Sequence, residues 1–460
     1  MKILVLGGTR FFGIPMVNEL LAQGHEVTIA TRGTSPDPFG DRVQRIVFQR
    51  ADENSVREAL AGKHYDVVID KIAYCSNDIR YVMDAVDCDR YIHMSSTSVY
   101  DPKRMNTVEA DFDAVSKELI WCDRAAFPYD EIKRQAECAL WQKYPDRNWV
   151  AVRYPFVLGE DDYTKRVLFY VEHAMRGIPM FIDNVDAQMG FIRADEAGLF
   201  LAHLVGQDLT GAVNGSAHGT ISVREMLDYV AQKTGAKAIL APDGDEAPYN
   251  DEPAYSINTD RAESTGFRFS NLKDWIYDLL DYYIDQVKEK QRREMLRLRP
   301  YKSGDAKYIE QWVQDRDIFL MWGGDRFGEF PISAQIIDDK YRLNNGDCAE
   351  PDNFYPWTAF TDEDGVVGHF IMRYLNGDNR VLRFGWVIVD NTIRGKGFGT
   401  RMLRAGLKYA FEVLGVDVVT IGVYEDNVRA HRCYQKVGFR DREIVTYEGR
   451  NIVEMEIKRD

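Results

Sequence analysis

Through roughly the first 285 residues, short apolar runs alternate with amphipathic stretches. KILVL, EVTIAT, RIVFQR, YDVVID, RYIHMSS and NWVAVRY read as strands, and segments such as IPMVNELLAQG and DENSVREALAG carry apolar residues at helical spacing. Strands alternating with helices predict right-handed crossovers and a parallel sheet. The segment NLKDWIYDLLDYYIDQVKEKQRREM starts at a candidate Asn271 cap, and its tail from Gln286 to Glu294 is highly charged, which predicts an exposed helix end and a linker. After it, LRLRPYKSGDAKYIEQWV restarts as strand, turn and helix. Strands follow at FYPWTAF, VVGHFIMRY, LRFGWVIVD and VVTIGVY, and helices at TRMLRAGLKYAFEVLG and VRAHRCYQKVGF. The expectation is two domains, 1–290 and 296–460. The first is α/β, a doubly wound parallel sheet with a small substrate subdomain. The second is α+β with a mixed, largely antiparallel sheet.

Composition narrows the chemistry. With 73 acidic against 58 basic residues the net charge is −15. A field of that sign does not attract phosphate backbones, so nucleic acid is not expected as a partner, and anionic ligands must be caught by local geometry. Six scattered cysteines, with no CxxC pair and no Cys/His cluster, predict reduced thiols and no metal site. No apolar stretch approaches the roughly 18–20 residues that span a bilayer. Together these features predict a cytoplasmic enzyme acting on small molecules.

The turn LGGTRFFG (6–13) follows the first strand and opens the first helix. Backbone N–H groups and the positive helix end then meet at one point, which suits a pyrophosphate. Gly7 is expected to allow the sharp turn, Gly8 the approach of the phosphate, and Gly13 close helix–strand packing; Thr9, Arg10 and Phe12 complete the candidate cofactor loop. Tyr129 and Lys133, in YDEIK, lie one helical turn apart on one face. Lys133 there can lower the phenol pKa and hold ribose hydroxyls while Tyr129 exchanges a proton with substrate. Upstream, HMSSTSVY offers Ser96 to polarise the same oxygen.

These motifs, with Asp52 after the third strand, RYPFVLG (153–159) and FIRADEAG (191–198), come in the order of the extended short-chain dehydrogenase/reductase family, which residues 1–285 resemble. The resemblance implies Ser96, Tyr129 and Lys133 as catalytic residues, Asp52 as a cofactor contact, and Pro155 and Phe156 beside a nicotinamide. The second strand ends in Ala30-Thr31-Arg32, without the acidic residue that accepts bonds from an adenosine ribose. Arg32, reinforced by Arg10, suits a 2′-phosphate and favours NADP over NAD. GGTRF resembles an atypical branch of the family, some of whose members have lost catalytic residues or bind RNA. The strand-four segment VVIDKIAYC also departs from the family pattern and leaves the substrate class open.

RGKGFG (394–399) repeats the loop-to-helix logic between FGWVIVD and TRMLRAGLKYAFEVLG. Thirty-odd residues on comes EDNVRAHRCYQKVGF. These stretches resemble the GNAT family of acetyl-CoA-dependent N-acetyltransferases from about residue 296 to 460. The resemblance implies that Val387 and Val389, on the run to Asp390, pair with the pantetheine arm. Arg394, Gly395, Lys396, Gly397, Phe398, Gly399 and Thr400 would hold the pyrophosphate, with Asn427 nearby, and Tyr434 would protonate the departing thiolate. Asp390, Glu425, Asp426 or a base acting through water stand as candidate general bases, and Cys433 reads as a small packing residue.

The sequence therefore predicts a bifunctional enzyme. One half is an NADP-dependent reductase, epimerase or dehydratase acting on a hydroxyl or keto substrate, such as an amino sugar or nucleotide-linked sugar. The other transfers acetyl from acetyl-CoA to an amine. A homodimer is implied by resemblance alone. The alternative is a catalytically silent NADP-binding domain fused to an active acetyltransferase.

Overall fold

The computed structural model describes residues 1–393, 395–447 and 449–459, which divide into two compact units, Met1–Val287 and Lys288–Asp460. The first is built on seven parallel strands, β1 (Lys2–Leu6), β2 (Glu26–Thr31), β3 (Gln44–Val47), β4 (His64–Asp70), β5 (Asp87–Ser96), β6 (Trp149–Tyr154) and β7 (Gly211–Asn214), in the order β7-β6-β5-β4-β1-β2-β3. Consecutive residues of β1 serve opposite faces. Ile3 and Val5 join the core under helices Gly13–Ala22 and Ala194–His203, while Leu4 and Leu6 pack with Val56, Ile79 and Ala136 on the other face. Burial on both faces explains why these strands read as continuous apolar runs. Strand order reverses between β1 and β4, and the crevice at their carboxyl ends is where such sheets hold ligands.

A subdomain assembles around a separate core of helices Arg166–Arg176, Val223–Thr234 and Ile276–Glu294, with short strand pairs at Phe156–Leu158/Phe191–Arg193 and Met180–Phe181/Asp245–Glu246. Asn271 precedes a short turn at Leu272–Asp274 without capping it, its amide donating to Asp274 Oδ2, and the long helix begins only at Ile276 and runs on to Glu294.

The second unit contains β8 (Arg297–Pro300), β9 (Tyr355–Thr361), β10 (Gly365–Leu375), β11 (Asp378–Val389), β12 (Val418–Tyr424), β13 (Arg440–Tyr447) and β14 (Arg450–Lys458), in the order β8-β9-β10-β11-β12-β14-β13. Only β11 and β12 run parallel, and their pairing ends at Phe384 and Ile421. A bulge between His369 and Ile371 of β10 and Gly385 to Ile388 of β11, with Trp386 at φ 45°, turns β11 away at that point. Helix Phe398–Lys408 covers one face of the sheet and helices Ala306–Trp312, Arg316–Trp322 and Ala334–Arg342 the other. No described helix is long and apolar enough to cross a membrane.

Helices Gly13–Ala22 and Ala194–His203 approach so closely at Gly198 that a Cβ there would lie 2.5 Å from the Phe12 carbonyl oxygen and 2.9 Å from the Met16 nitrogen. Backbone cannot yield as a side chain does. Gly198→Ala is expected to lower stability by about 1–3 kcal/mol through overpacking, read as an earlier urea midpoint at unchanged m-value. An unmoved midpoint would show the two helices free to separate.

Candidate functional sites

In the first unit the glycine turn is tighter than the sequence implies. Gly7 and Gly8 both hold positive φ, 95° and 94°, and so does Phe11 at 51°. The expected division of labour among the glycines changes. A Cβ at Gly8 would meet Val5 Cγ1 at 2.9 Å and Val17 Cγ2 at 3.3 Å, so Gly8 serves the close packing assigned to Gly13. At Gly13 a Cβ would strike the Gly8 backbone at 2.6 Å, so that glycine closes the loop on itself. The three together hold the turn so tightly that none of them admits a side chain. Arg10 is exposed beyond it, with Nη2 donating to Ser35 Oγ at 2.6 Å, and Arg32 is exposed just past β2. Thr9 lies half-buried in the turn. Asp52 is not on the cleft described next; its carboxylate caps helix Glu53–Leu60 by accepting from Asn54 and Ser55 N–H.

A cleft of about 380 Å³ brings together Phe12, Ser96, Tyr129, Pro155 and Phe156. Ser96 Oγ is fixed at the end of β5, accepting from the N–H and hydroxyl of Ser98 at 3.1 and 3.0 Å. Tyr129 opens helix Tyr129–Lys143 directly after Pro128. The residue keeps 48 % of its surface exposed, with its ring edge-on to Tyr74. Burial pushes the hydroxyl up to about 12, against the lowering effect of Ser96 and, more weakly, Arg166. The help expected from Lys133 is not the dominant influence, because that side chain is fully buried with Nζ donating to the Ala73 and Met94 carbonyls at 2.9 and 2.8 Å. It faces the Tyr74 ring, which in turn contacts Tyr129 edge-on, and its own pKa falls to about 8 through burial. Lys133 does not line the cleft.

Sequence reasoning missed Lys71. It follows β4 at the point where strand order reverses, beside Gly7, with Nζ 3.9 Å from the centre of the Phe12 ring. Burial lowers it to about 8, and it has no ion-pair partner among the described residues. Its position directly after an apolar strand was the available signal. Lys71 does not line the cleft itself; Lys103 and Arg166, over the Phe156 ring at 5.8 and 5.1 Å, and Glu252, paired with Lys103 at 2.5 Å, do. Among the described residues the cluster His64, Asp66 and Asp89 brings metal-type ligands together, but on the surface at the opposite end of β4.

In the second unit a cleft of about 510 Å³ is lined by Val387, Val389, Gly395, Gly397, Phe398, Gly399, Thr400, Asn427 and Tyr434. Arg394 lies outside the described residues. Gly395 and Gly397 have positive φ, 89° and 72°, and Gly397 leads directly into helix Phe398–Lys408. A Cβ at Gly399 would touch Cys433 Sγ at 3.3 Å, which makes Cys433 the floor of the loop. Lys396 turns aside to pair with Asp364 at 2.6 Å. Asn427 caps helix Val428–Val437, accepting from Ala430 N–H. Beyond Phe384 the diverging β11 leaves Val387 and Val389 facing the cleft, where a ligand can add to the sheet edge. Tyr434 is 7 % exposed, and burial pushes its phenol well above the ordinary range, so it carries its proton. Of the candidate bases, Asp390 lines the cleft but accepts from the Thr392 N–H and hydroxyl; Glu425 is bonded to Asn451 and Asp426 to Arg450.

Residues 3–87 match the NAD dependent epimerase/dehydratase family, and residues 295–440 match the Acetyltransferase (GNAT) domain. Over 218 residues the chain is 26 % identical to the chloroplast stem-loop binding protein of 41 kDa b from Arabidopsis thaliana, covering 44 % of this chain and 54 % of that one. It is 24 % identical to 2′-dehydrokanamycin reductase of Streptomyces kanamyceticus over 45 % of this chain and 59 % of that one. A stretch of 69 residues, 15 % of this chain, is 28 % identical to 45 % of the spermine/spermidine N(1)-acetyltransferase of Bacillus subtilis. The chain thus spans about half the length of these curated relatives. In fold, a putative epimerase from Burkholderia cenocepacia superposes with a TM-score of 0.50 at 18 % identity, over 63 % of this chain and 98 % of that one. The protein therefore joins an N-terminal unit similar to the NAD-dependent epimerases and dehydratases to a C-terminal unit similar to the GNAT acetyltransferases.

Proposed function

We propose that the chain is a bifunctional cytoplasmic enzyme with catalytic domains 1–290 and 296–460. The first is an NADP-dependent oxidoreductase of the reductase, epimerase or dehydratase type for a sugar-like hydroxyl or keto substrate. The second is an acetyl-CoA-dependent N-acetyltransferase. The observation that carries the first reading is the convergence of Ser96 and Tyr129 with Pro155 and Phe156 in one cleft. The second rests on Tyr434 standing over a glycine loop that opens a helix. When bound, the nicotinamide exchanges a hydride with a substrate carbon, and acetyl-CoA brings the acetyl group.

The chain's own residues handle the protons. The Tyr129 hydroxyl, held protonated, exchanges its proton with the substrate oxygen, and the Ser96 hydroxyl polarises that oxygen. Gly7, Gly8 and Gly13 would take the pyrophosphate, and Arg10 and Arg32 the 2′-phosphate. Lys71 would neutralise charge at the same turn. In the second unit the amine would take the acetyl group as the thioester C–S bond is lost; Tyr434 would give its proton to the departing sulfur and regain one from solvent, which receives the proton of the amine. The name of the Arabidopsis relative raises RNA as a ligand, but a charge of −15 supports a small-molecule role.

Two experiments test this reading. Tyr129→Phe is expected to cut NADPH turnover at least about 100-fold while CoA release with an amine acceptor continues, and Tyr434→Phe to do the reverse. Loss of both activities in either variant would end the two-site scheme. The second uses pH. Lys71 is depressed in the folded protein, so without ligand it loses its charge as pH rises through about 8, and a phosphate beside it restores that charge. NADP affinity should be highest below pH 8 and fall above it, with proton uptake on binding. Lys71→Met should weaken binding at pH 7 and flatten the slope. An affinity equally steep in the variant would remove Lys71 from the site.

A further inference from the structure

A second cavity, of about 470 Å³, adjoins the cleft that contains the glycine loop, and Val387, Asn427 and Tyr434 line both. If the second unit is an acetyltransferase, as proposed above, this is where the acceptor amine approaches the thioester. Its walls are aromatic. Trp386, at the β-bulge, is locked among Phe327, Tyr341 and Phe354 at centroid distances of 4.7, 5.6 and 5.8 Å. Tyr424 and Tyr447 also line the cavity.

The charge of the cavity is unexpected in so acidic a chain. Arg326, Arg373 and Arg383 line it against one carboxylate, Asp347, and that carboxylate is paired with Lys340. Arg373 and Arg383 are direct cross-strand partners of β10 and β11. Like charges so placed repel one another. Arg383 is compensated by a two-pronged pair with Glu454, at 2.6 and 2.8 Å. Its guanidinium passes over Gly422, where a Cβ would sit 2.5 Å from Nη2. Neither Arg373 nor Arg326 makes a side-chain hydrogen bond or ion pair among the described residues; Arg326 lies over the Tyr447 ring at 5.3 Å and, with Asp325, acts on the Tyr424 hydroxyl. Among the described residues these two guanidinium groups thus have no hydrogen-bonded carboxylate in a half-enclosed aromatic pocket.

We propose that the acetyl acceptor is an amine that also carries an anionic group, a carboxylate or a phosphate, held by Arg373 with Arg326 while its ring or planar part lies against Trp386; the Tyr424 ring is already covered by the Arg450 guanidinium, 3.7 Å from its centre. The fork of a guanidinium matches the paired oxygens of either anion. A polyamine, the acceptor named for the Bacillus subtilis relative, would meet these two cations, and the one carboxylate among the described lining residues, Asp347, is already paired with Lys340.

The test uses the full chain, acetyl-CoA and matched amines: glucosamine 6-phosphate with glucosamine, tyrosine with tyramine, and spermidine. Thiol release gives kcat/KM, and titration with CoA gives its Kd separately. The expected result is that the anionic member of at least one pair exceeds its neutral partner by tenfold or more, with spermidine inert. Arg373→Gln should lower that kcat/KM about 10–100-fold through KM, Arg373→Lys less, with the CoA Kd unmoved in both. Equal rates within both pairs, absence of reaction included, or a preference for spermidine, with CoA bound normally, would overturn the anionic-acceptor proposal. Failure of the wild-type chain to bind CoA would instead overturn the acetyltransferase reading on which it rests. Should Arg373→Gln not fold, the preference of the wild-type protein decides.

Discussion

The first site depends on one buried carboxylate. Glu137, with no exposed surface, accepts from Ser95 Oγ at 2.5 Å and from Arg153 Nε and Nη2 at 2.9 and 2.5 Å. Arg153, 1 % exposed, sends Nη1 to the Tyr100 hydroxyl and the Glu109 carbonyl, and Tyr100 donates on to Asn214 Oδ1 at 2.6 Å. Each member sits next to a residue of the proposed site or on its helix. Ser95 precedes Ser96, Arg153 lies two residues before Pro155, and Glu137 is on the helix that begins at Tyr129. A buried pair is weak as a source of net stability, but removing one partner strands a charge at a cost of about 3–5 kcal/mol. Helix, β5, β6 and β7 are therefore fixed to one another by a network that tolerates no half-measure. The precise seat of Ser96 and Tyr129 follows from it.

Around Lys133 the polar interior is less complete. Arg50 is bonded to Asp70 and the Asp78 carbonyl through Nη2, while its Nε and Nη1 lack partners. His93 has no partner on either ring nitrogen and is kept neutral by burial and by the nearby cations Lys133 and Arg50. With backbone carbonyls as its only hydrogen-bond acceptors, Lys133 remains easy to discharge. The loop of the second unit is built differently, on positive-φ glycines and a helix end, with Lys396 diverted to Asp364.

What could be read in the sequence was local. The two glycine turns and the strands that precede them are contiguous, so their pattern survives without knowledge of the fold. Ser96 and Tyr129 were reachable because a family resemblance supplied the distance between them. Lys133 shows the limit: its helix position was legible, but the carbonyls and the Tyr74 ring that occupy it come from two other segments. The helices Arg316–Trp322 and Ala334–Arg342 are only seven and nine residues long, too short for their apolar spacing to stand out. The β13–β14 hairpin escaped for a different reason, since β13 is exposed along its whole length and Ile444 and Val445 bury little. The opposition of Arg373 and Arg383 is a matter of register, invisible until the strands are paired.

The isolated cations of both units, Arg10, Arg32 and Lys71 in one and Arg326 and Arg373 in the other, stand in a chain of net charge −15. Every ligand inferred for them is an anion. At distances beyond the Debye length of about 8–10 Å such a ligand sees a repelling protein, and only within reach of a single guanidinium or ammonium does the sign reverse. Encounter and retention are then governed by opposite fields. Added salt should relieve the long-range repulsion and quicken arrival, while it loosens the short-range grip and quickens departure. Ionic strength would set how fast these sites exchange their ligands more than how full they are.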